Sequence, residues 1–192
     1  MAQPTRLELM SDGETTVASV VYADGERVGR YPGDDISDLP ADMQAQINAA
    51  WTPQVVAAYQ LGQAQAKSSA AIDQQMFLVR AAGHTFTTGP LAGKTVTVPE
   101  GTEAALNFLT LFTDAKDECD LGHGADVYPG PLLAVDGPVN GLTWQQVLDA
   151  MRELRQWGIA VLRNAVTLKM VVAMSQNAFA AQSVDPTFGW PT

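Results

Sequence analysis

Cys119 and His123 come nearest to a reactive or metal-binding pair in this sequence. They lie four residues apart, a spacing that two metal ligands on one turn of helix can use. A structural zinc site takes about four ligands, but Cys119 is the only cysteine and the other histidine, His84, is far away in the chain. We therefore expect neither zinc nor any other cofactor.

Five acidic residues surround this pair, and carboxylate oxygens are ligands that calcium and magnesium prefer. They are Asp114, Asp117, Glu118, Asp120 and Asp126. The ligand order of an EF-hand loop is absent, so these residues predict a solvated acidic loop rather than a metal site. The sequence also has no nucleophile elbow, Walker motif or dinucleotide fingerprint. We predict that the protein is not an enzyme. A small hydrolase or metal-dependent enzyme using Cys119, His123 and the acidic loop is the alternative.

Composition narrows the class of protein further. The 192 residues carry a formal net charge of −10, which argues against binding nucleic acid through a broad basic patch. A hydrophobic content of 46% is typical of a globular protein, and a single cysteine permits no intrachain disulfide. Because no stretch of about 18 continuous apolar residues occurs, we predict no membrane insertion.

Residues 142–177 predict one long helix, around which the rest of the chain is organised. The segment contains no proline, and Thr143 with Gln146 has the capping-box spacing of a helix start. One apolar row alternates steps of four and three residues, as in a heptad seam. The seam contains Val147, Met151, Leu154, Gly158, Val161, Ala165, Leu168 and Val172, and a second row contains Trp144, Leu148, Ile159, Leu162, Val166 and Met170.

The seam leaves two interpretations open. It is buried against the rest of its own domain, or it also packs against copies of itself in an oligomer. Gly158 and Ala165 would let another element approach closely, and tryptophan is enriched at binding hot spots, although core packing is its usual role. The predicted interface residues are Trp144, Met151, Leu154, Gly158, Ala165, Leu168, Phe188 and Trp190.

The remaining chain predicts short strands and helices. Strands are predicted at residues 15–23, 26–31, 76–81, 84–88, 94–98 and 132–135, and helices at about 40–50, 53–72 and 100–116. Asp24-Gly25 predicts a hairpin, residues 117–131 predict a loop, and Asp136-Gly137-Pro138 predicts a turn.

These elements together predict an α+β protein in four segments. Residues 1–36 would form a small N-terminal β-hairpin or meander, and residues 37–74 a helical connector. Residues 75–182 would form a domain with a few short strands packed on the long helix. Residues 183–192, rich in proline and glycine, would form an extended tail.

Two segments carry a resemblance to a known family. VRAAGHTFTTGPLAGKTVTVPEGTEAALNFLTLF and VDGPVNGLTWQQVLDAMRELRQWGIAVLRNAVTLK resemble a domain of unknown function found in tailed-phage proteins, often encoded near tail-fibre genes. The matching features are Gly83 with Phe86, residues 103–112, Asp136-Gly137 and Leu142-Thr143. The resemblance covers roughly residues 75–175 and transfers no catalytic residues.

The resemblance implies a structural or accessory protein of the phage tail, near the fibre or baseplate, that acts through protein–protein contacts. Its partners would be other tail proteins and further copies of itself, with a trimer suggested by analogy with fibres. It would be located in the tail of the virion, and in the host cytoplasm during assembly. The alternative within this class is a tail-fibre assembly chaperone that is absent from the mature virion.

Overall fold

The computed structural model describes residues 3–11, 15–97 and 101–191. The fold is α+β, as predicted from the sequence. The strands are β1 (Pro4–Ser11), β2 (Thr16–Tyr22), β3 (Arg27–Arg30), β4 (His84–Thr85), β5 (Thr95–Val96), β6 (Leu132–Ala134) and β7 (Gly137–Val139). The α-helices are α1 (Ala41–Ala50), α2 (Pro53–Ala82), α3 (Thr102–Asp120), α4 (Trp144–Ala173) and α5 (Ala178–Gln182), with a short 3₁₀ turn at Gly89–Leu91. None of these described helices combines the length and apolar content needed to cross a membrane.

The chain divides into two compact units. The first unit contains Met1–Ser69 and Met170–Asp185, and the second contains Ala70–Lys169 and Pro186–Thr192. Both α2 and α4 contribute residues to each unit. The residue ranges of the two units therefore differ from those of the four predicted segments.

The first unit is built on an antiparallel sheet in the order β1-β2-β3. The predicted Asp24-Gly25 hairpin is confirmed: Gly25 has a φ of 87°, and its amide donates to the carbonyl of Tyr22 at 2.9 Å. A core of apolar side chains lies between the inner face of β2 and the helix that follows the sheet. Its buried members are Ala18, Val20, Leu39, Met43, Ile47 and Trp51. The predicted helix near residues 40–50 is therefore confirmed as α1 and packs on the sheet.

The second unit collects its core around the first half of α4. The β4-β5 hairpin contributes the buried side chains of Phe86, Leu91 and Val96, and the β6-β7 hairpin contributes Leu132. The predicted capping box is confirmed. The Gln146 side chain accepts from the Thr143 amide at 2.9 Å, and the Thr143 hydroxyl accepts from the Gln146 amide at 3.3 Å. This reciprocal pair satisfies two backbone donors at the helix start and fixes where α4 begins.

The strand predicted at residues 76–81 was wrong, because those residues form the end of α2. The apolar run MFLVRA resembles a buried strand in isolation, but no glycine or proline separates it from the helix-favouring residues before it. The helix continues to Gly83, where φ is 81°. A side chain there would also approach the carbonyl oxygen of Val96 to 2.7 Å. The partner of β4 is therefore β5, with His84 opposite Val96.

Other boundaries also differ from the prediction. The predicted loop 117–131 begins four residues later, since α3 continues to Asp120 and Lys116 pairs with Asp120 one turn along it. The predicted turn at Asp136-Gly137-Pro138 is wrong in part, because Gly137 begins β7, which pairs with β6. The predicted limits at Val98 and Glu100 lie outside the described residues.

The predicted extended tail is instead folded. Residues 186–189 form a turn, and Trp190 Nε1 donates to the carbonyl of Pro186 at 2.7 Å. The Asn164 side chain donates to the carbonyl of Phe188 at 3.0 Å, which holds the turn against α4 within the second unit. Both contacts join a polar side-chain group to a backbone carbonyl. The spacing of apolar residues does not indicate such contacts, so the sequence did not predict them.

Candidate functional site

The heptad seam forms the inner face of α4, and this face is covered by other parts of the same chain. Four of the predicted interface residues, Met151, Leu154, Ala165 and Leu168, are buried, and the exposed fraction of Leu154 is 1%. Trp144 is half-buried and meets the ring of Tyr128 edge to face, with the ring centroids 4.9 Å apart. In the free chain these side chains serve the core, as the first interpretation of the seam requires.

The other predicted interface residues are more accessible. Phe188 is 70% exposed and Trp190 is half-buried. Gly158 is half-exposed, and a Cβ built on it would meet no atom within 4 Å. Gly158 therefore does not serve a close approach inside the described chain. The structure brings Phe188 and Trp190 of the tail close to α4. The buried seam residues contribute to no exposed surface.

An apolar surface that is absent from the predicted interface residues lies on the outer side of α4, within the second unit. Ile159, Leu162 and Val166 are 38%, 52% and 58% exposed. Together with Arg155 they follow steps of four, three and four residues, so all four side chains share one face of the helix. We call Arg155, Ile159, Leu162, Arg163 and Val166 the outer face. The signal was present in the sequence as the second apolar row, but periodicity alone did not show which row the chain covers.

The outer face is basic in an otherwise acidic chain. Residues 154–184 contain no aspartate or glutamate and three basic residues, Arg155, Arg163 and Lys169. Lys169 pairs with Asp73 at 2.6 Å. Arg155 and Arg163 are exposed, and neither has an ion-pair partner in the part of the chain that the structure describes. Two unpaired positive charges therefore flank three exposed aliphatic side chains.

A cavity of about 570 Å³ opens beside this face, between α4 and the folded tail. Its lining residues are Gln156, Ile159, Ala160, Arg163, Asn164, Thr167, Gly189 and Pro191. The lining supplies amide and guanidinium groups but no carboxylate, imidazole or thiol. It therefore extends the outer face as a recess and offers no acid–base pair for catalysis.

The exposed side of α3 has the opposite character. Leu106 and Leu109 are 57% and 58% exposed. The helix carries five acidic residues and one lysine, and Lys116 is paired with Asp120. Asp114 and Asp117 are exposed and have no ion-pair partner among the described residues. The inner side of α3 is apolar and lies in the core. Its outer side is exposed and combines leucines with acidic residues.

The Cys119–His123 pair does not assemble a site. Cys119 is half-buried and packs against the core of the second unit. His123 Nδ1 lies 2.8 Å from Glu118 Oε2, and this hydrogen bond to the carboxylate raises the pKa of His123 above its usual value. Within residues 3–11, 15–97 and 101–191, no three histidine, cysteine, aspartate or glutamate side chains come together as a metal site requires.

A second histidine–carboxylate pair was not foreseen, because its members are 69 residues apart in sequence. His84 Nε2 lies 2.8 Å from Glu153 Oε1. The imidazole is buried, with ring centroids 5.1 Å from Phe86 and 5.8 Å from Trp157. Its Nδ1 is enclosed and has no hydrogen-bond partner in the described chain. A base that serves a nucleophile must present its second nitrogen to it, so the pair fits an anchor between β4 and α4 better than a catalytic dyad.

No protein-family model, curated protein or solved structure matches this chain.

Proposed function

We propose that this protein is a structural or accessory component of a phage tail, in the fibre or baseplate region, and that it acts through protein–protein contacts. The observation that carries the proposal is the outer face of α4. Single exposed apolar residues are common on proteins, but a contiguous group rimmed by polar residues marks an interaction surface. Ile159, Leu162 and Val166 form such a group, with unpaired arginines at its margin.

The assignment to a phage tail is supported by the resemblance of residues 79–112 and 135–169 to the tail-region domain. The features that carry the resemblance fall on either side of β4, on α3, on the β6-β7 hairpin and on the capped start of α4. We propose no catalytic step, because the chemistry that the site offers is apolar contact and charge pairing.

Mass spectrometry of purified virions tests the proposal. We expect peptides of this chain in the particle, at a constant ratio to other tail proteins and retained after high-salt washing. Absence from the particle would overturn the structural role and would favour the assembly chaperone, which uses the same surfaces only transiently.

The role of the outer face is tested by complementation with an Ile159→Glu/Leu162→Glu variant. We expect the variant to fold, since both side chains are exposed, and to be lost from the particle. The matched control is Phe179→Glu on α5, which also places an acid at an exposed apolar position, at 81% exposure. Equal incorporation of both variants would remove the outer face from the proposal.

A further inference from the structure

We infer that the outer face of α4 binds the exposed side of α3 in a second copy of this chain. The inference rests on the proposed function, that the protein works through protein–protein contacts, and it names the partner for one of them. The two surfaces belong to the same unit of the same chain, and each is exposed there. One copy would therefore present both halves of the contact.

Charge complementarity selects this partner. On the outer face, Arg155 and Arg163 have no ion-pair partner in the described chain. On the exposed side of α3, Asp114 and Asp117 also have no ion-pair partner there. Opposite charges across an interface guide association and fix register. Residues 154–184, which lack acids, and α3, which is the described helix with the most acids, are thus opposite in charge.

The apolar parts of the two surfaces also correspond. On α3, Leu106, Leu109, Thr113 and Asp117 are all exposed and follow steps of three, four and four residues, so they lie along one face. On α4, the exposed aliphatic side chains follow the same kind of spacing. Two helices that meet in this way bury leucine and isoleucine side chains between ridges at the centre, with charges at the rim.

An antiparallel arrangement brings the charges into register. If Leu109 of one copy lies beside Leu162 of the next, the C-terminal part of α3 runs toward the start of α4. Asp114 is five residues, or about 7.5 Å, beyond Leu109, and Arg155 is seven residues, or about 10 Å, before Leu162. Both groups then lie toward the same end of the contact. Asp117, eight residues or about 12 Å beyond Leu109 and on the same row, comes level with Arg155. The opposed helix dipoles are also favourably aligned in this direction.

Contact between identical faces is disfavoured by the same charges. Pairing two outer faces would place Arg155 and Arg163 of one copy near those of the other, and pairing two α3 helices would oppose aspartates. Like charges across an interface oppose association. The contact therefore joins two different helix faces. It closes as a two-fold dimer if each copy offers both faces to the same neighbour, and it propagates as a ring or filament if the two faces meet different neighbours.

Charge-reversal variants of the full chain test the inference by light scattering and sedimentation over a concentration series. Arg155→Glu/Arg163→Glu leaves both contact surfaces acidic, and Asp114→Arg/Asp117→Arg leaves both basic. We expect each to weaken self-association by roughly 100-fold. The chain with all four changes restores opposite charges and should associate again, which a merely damaged fold would not do.

A single-residue comparison provides the matched control. Arg155→Glu and Lys67→Glu change the net charge equally at exposed helical positions, but Lys67 on α2 lies outside both surfaces. We expect only Arg155→Glu to weaken association. Far-ultraviolet circular dichroism and thermal unfolding should be close to those of the unmodified chain for every variant, because all the substituted side chains are exposed.

A monomeric unmodified chain at high micromolar concentration would overturn the inference, as would failure of the fourfold variant to associate. Either result leaves the proposed function standing if the chain is found in virions, because tail proteins of other sequence would then be its partners. Conversely, absence from virions with intact self-association would overturn the structural role and keep this contact.

Discussion

The inner and outer faces of α4 are made of similar residues but have opposite surroundings. Leu154 on the inner face is 1% exposed, whereas Leu162, eight residues later on the outer face, is 52% exposed. Both belong to apolar rows with helical spacing. The difference shows that periodicity identifies the helix and its apolar rows, whereas the elements that pack on the helix decide which row becomes core and which remains free to bind.

The largest expected effect comes from truncating the same residue type on the two faces. Leu154→Ala should lower the free energy of unfolding by about 2 to 5 kcal/mol, because it removes buried methyl groups and leaves a cavity. Leu162→Ala should change it by no more than about 0.5 kcal/mol, since that side chain is already half in water. Denaturant unfolding below the concentration at which copies associate measures both values.

Equal losses at the two positions would break this comparison, because the outer face would then be part of a core. A small loss at Leu154 would contradict the burial of the inner face. Association measurements on the same two variants should show the reverse order, with Leu162→Ala weakening self-association and Leu154→Ala acting only through its effect on folding.

Gly158 belongs to the inner row but is half-exposed, and its substitution should give an effect of intermediate size. A Cβ at this position meets no atom within 4 Å, and glycine in a helix interior costs about 0.5 to 1 kcal/mol relative to alanine. Gly158→Ala should therefore raise the free energy of unfolding by roughly that amount. Gly83→Ala is the contrasting control, because its positive φ and the 2.7 Å approach to Val96 predict destabilisation.

A loss of stability in Gly158→Ala would show that α4 bends at this residue or that another element approaches it. A gain in stability accompanied by weaker association would place Gly158 in the contact between copies, which was one of the reasons for naming it as an interface residue from the sequence.

The smallest expected effect concerns His123, an exposed group on the solvent side of the second unit. Its hydrogen bond to Glu118 raises the pKa of His123 above the usual 6.5 in the folded chain. The folded state therefore binds the proton more tightly than the unfolded state does. The resulting stabilisation is fully present below pH 6.5, as long as Glu118 is ionised, and is lost as the pH rises through the raised pKa.

Nuclear magnetic resonance titration of the imidazole should give a pKa above the usual value, and Glu118→Gln should return it toward that value. The difference in stability between the unmodified chain and His123→Gln should be larger at pH 5.5 than at pH 9. It should also shrink in high salt, because both side chains are substantially exposed. A difference that grows with pH would contradict the assigned ion pair.

Much of the fold could be predicted because the signals are local. The Asp24-Gly25 hairpin depends on residues next to each other, and the capping box depends on two residues three apart. The same local reasoning failed at residues 76–81, where a run rich in apolar residues reads as a strand by composition. Those residues continue α2, because a helix already formed extends at little cost until a residue such as Gly83 ends it.

The candidate site was predicted less well, since it depends on which surfaces are covered. The seam chosen as an interface contains Met151 and Leu154, which the chain itself buries. The pairing of His84 with Glu153 joins residues 69 positions apart, and no local pattern connects them. The unpaired state of Arg155 and Arg163 likewise depends on where the acids of the rest of the chain lie after folding.

The sequence by itself determined that this is an α+β protein with a long capped helix carrying two apolar rows, because hydrophobic spacing and backbone capping act over a few residues. Only the tertiary structure decided that the inner row is core, that the outer face stays exposed between two unpaired arginines, and that α3 presents a matching acidic side. The physical reason is that burial and charge pairing are properties of the neighbours of a residue in space, and folding brings those neighbours together from distant parts of the chain.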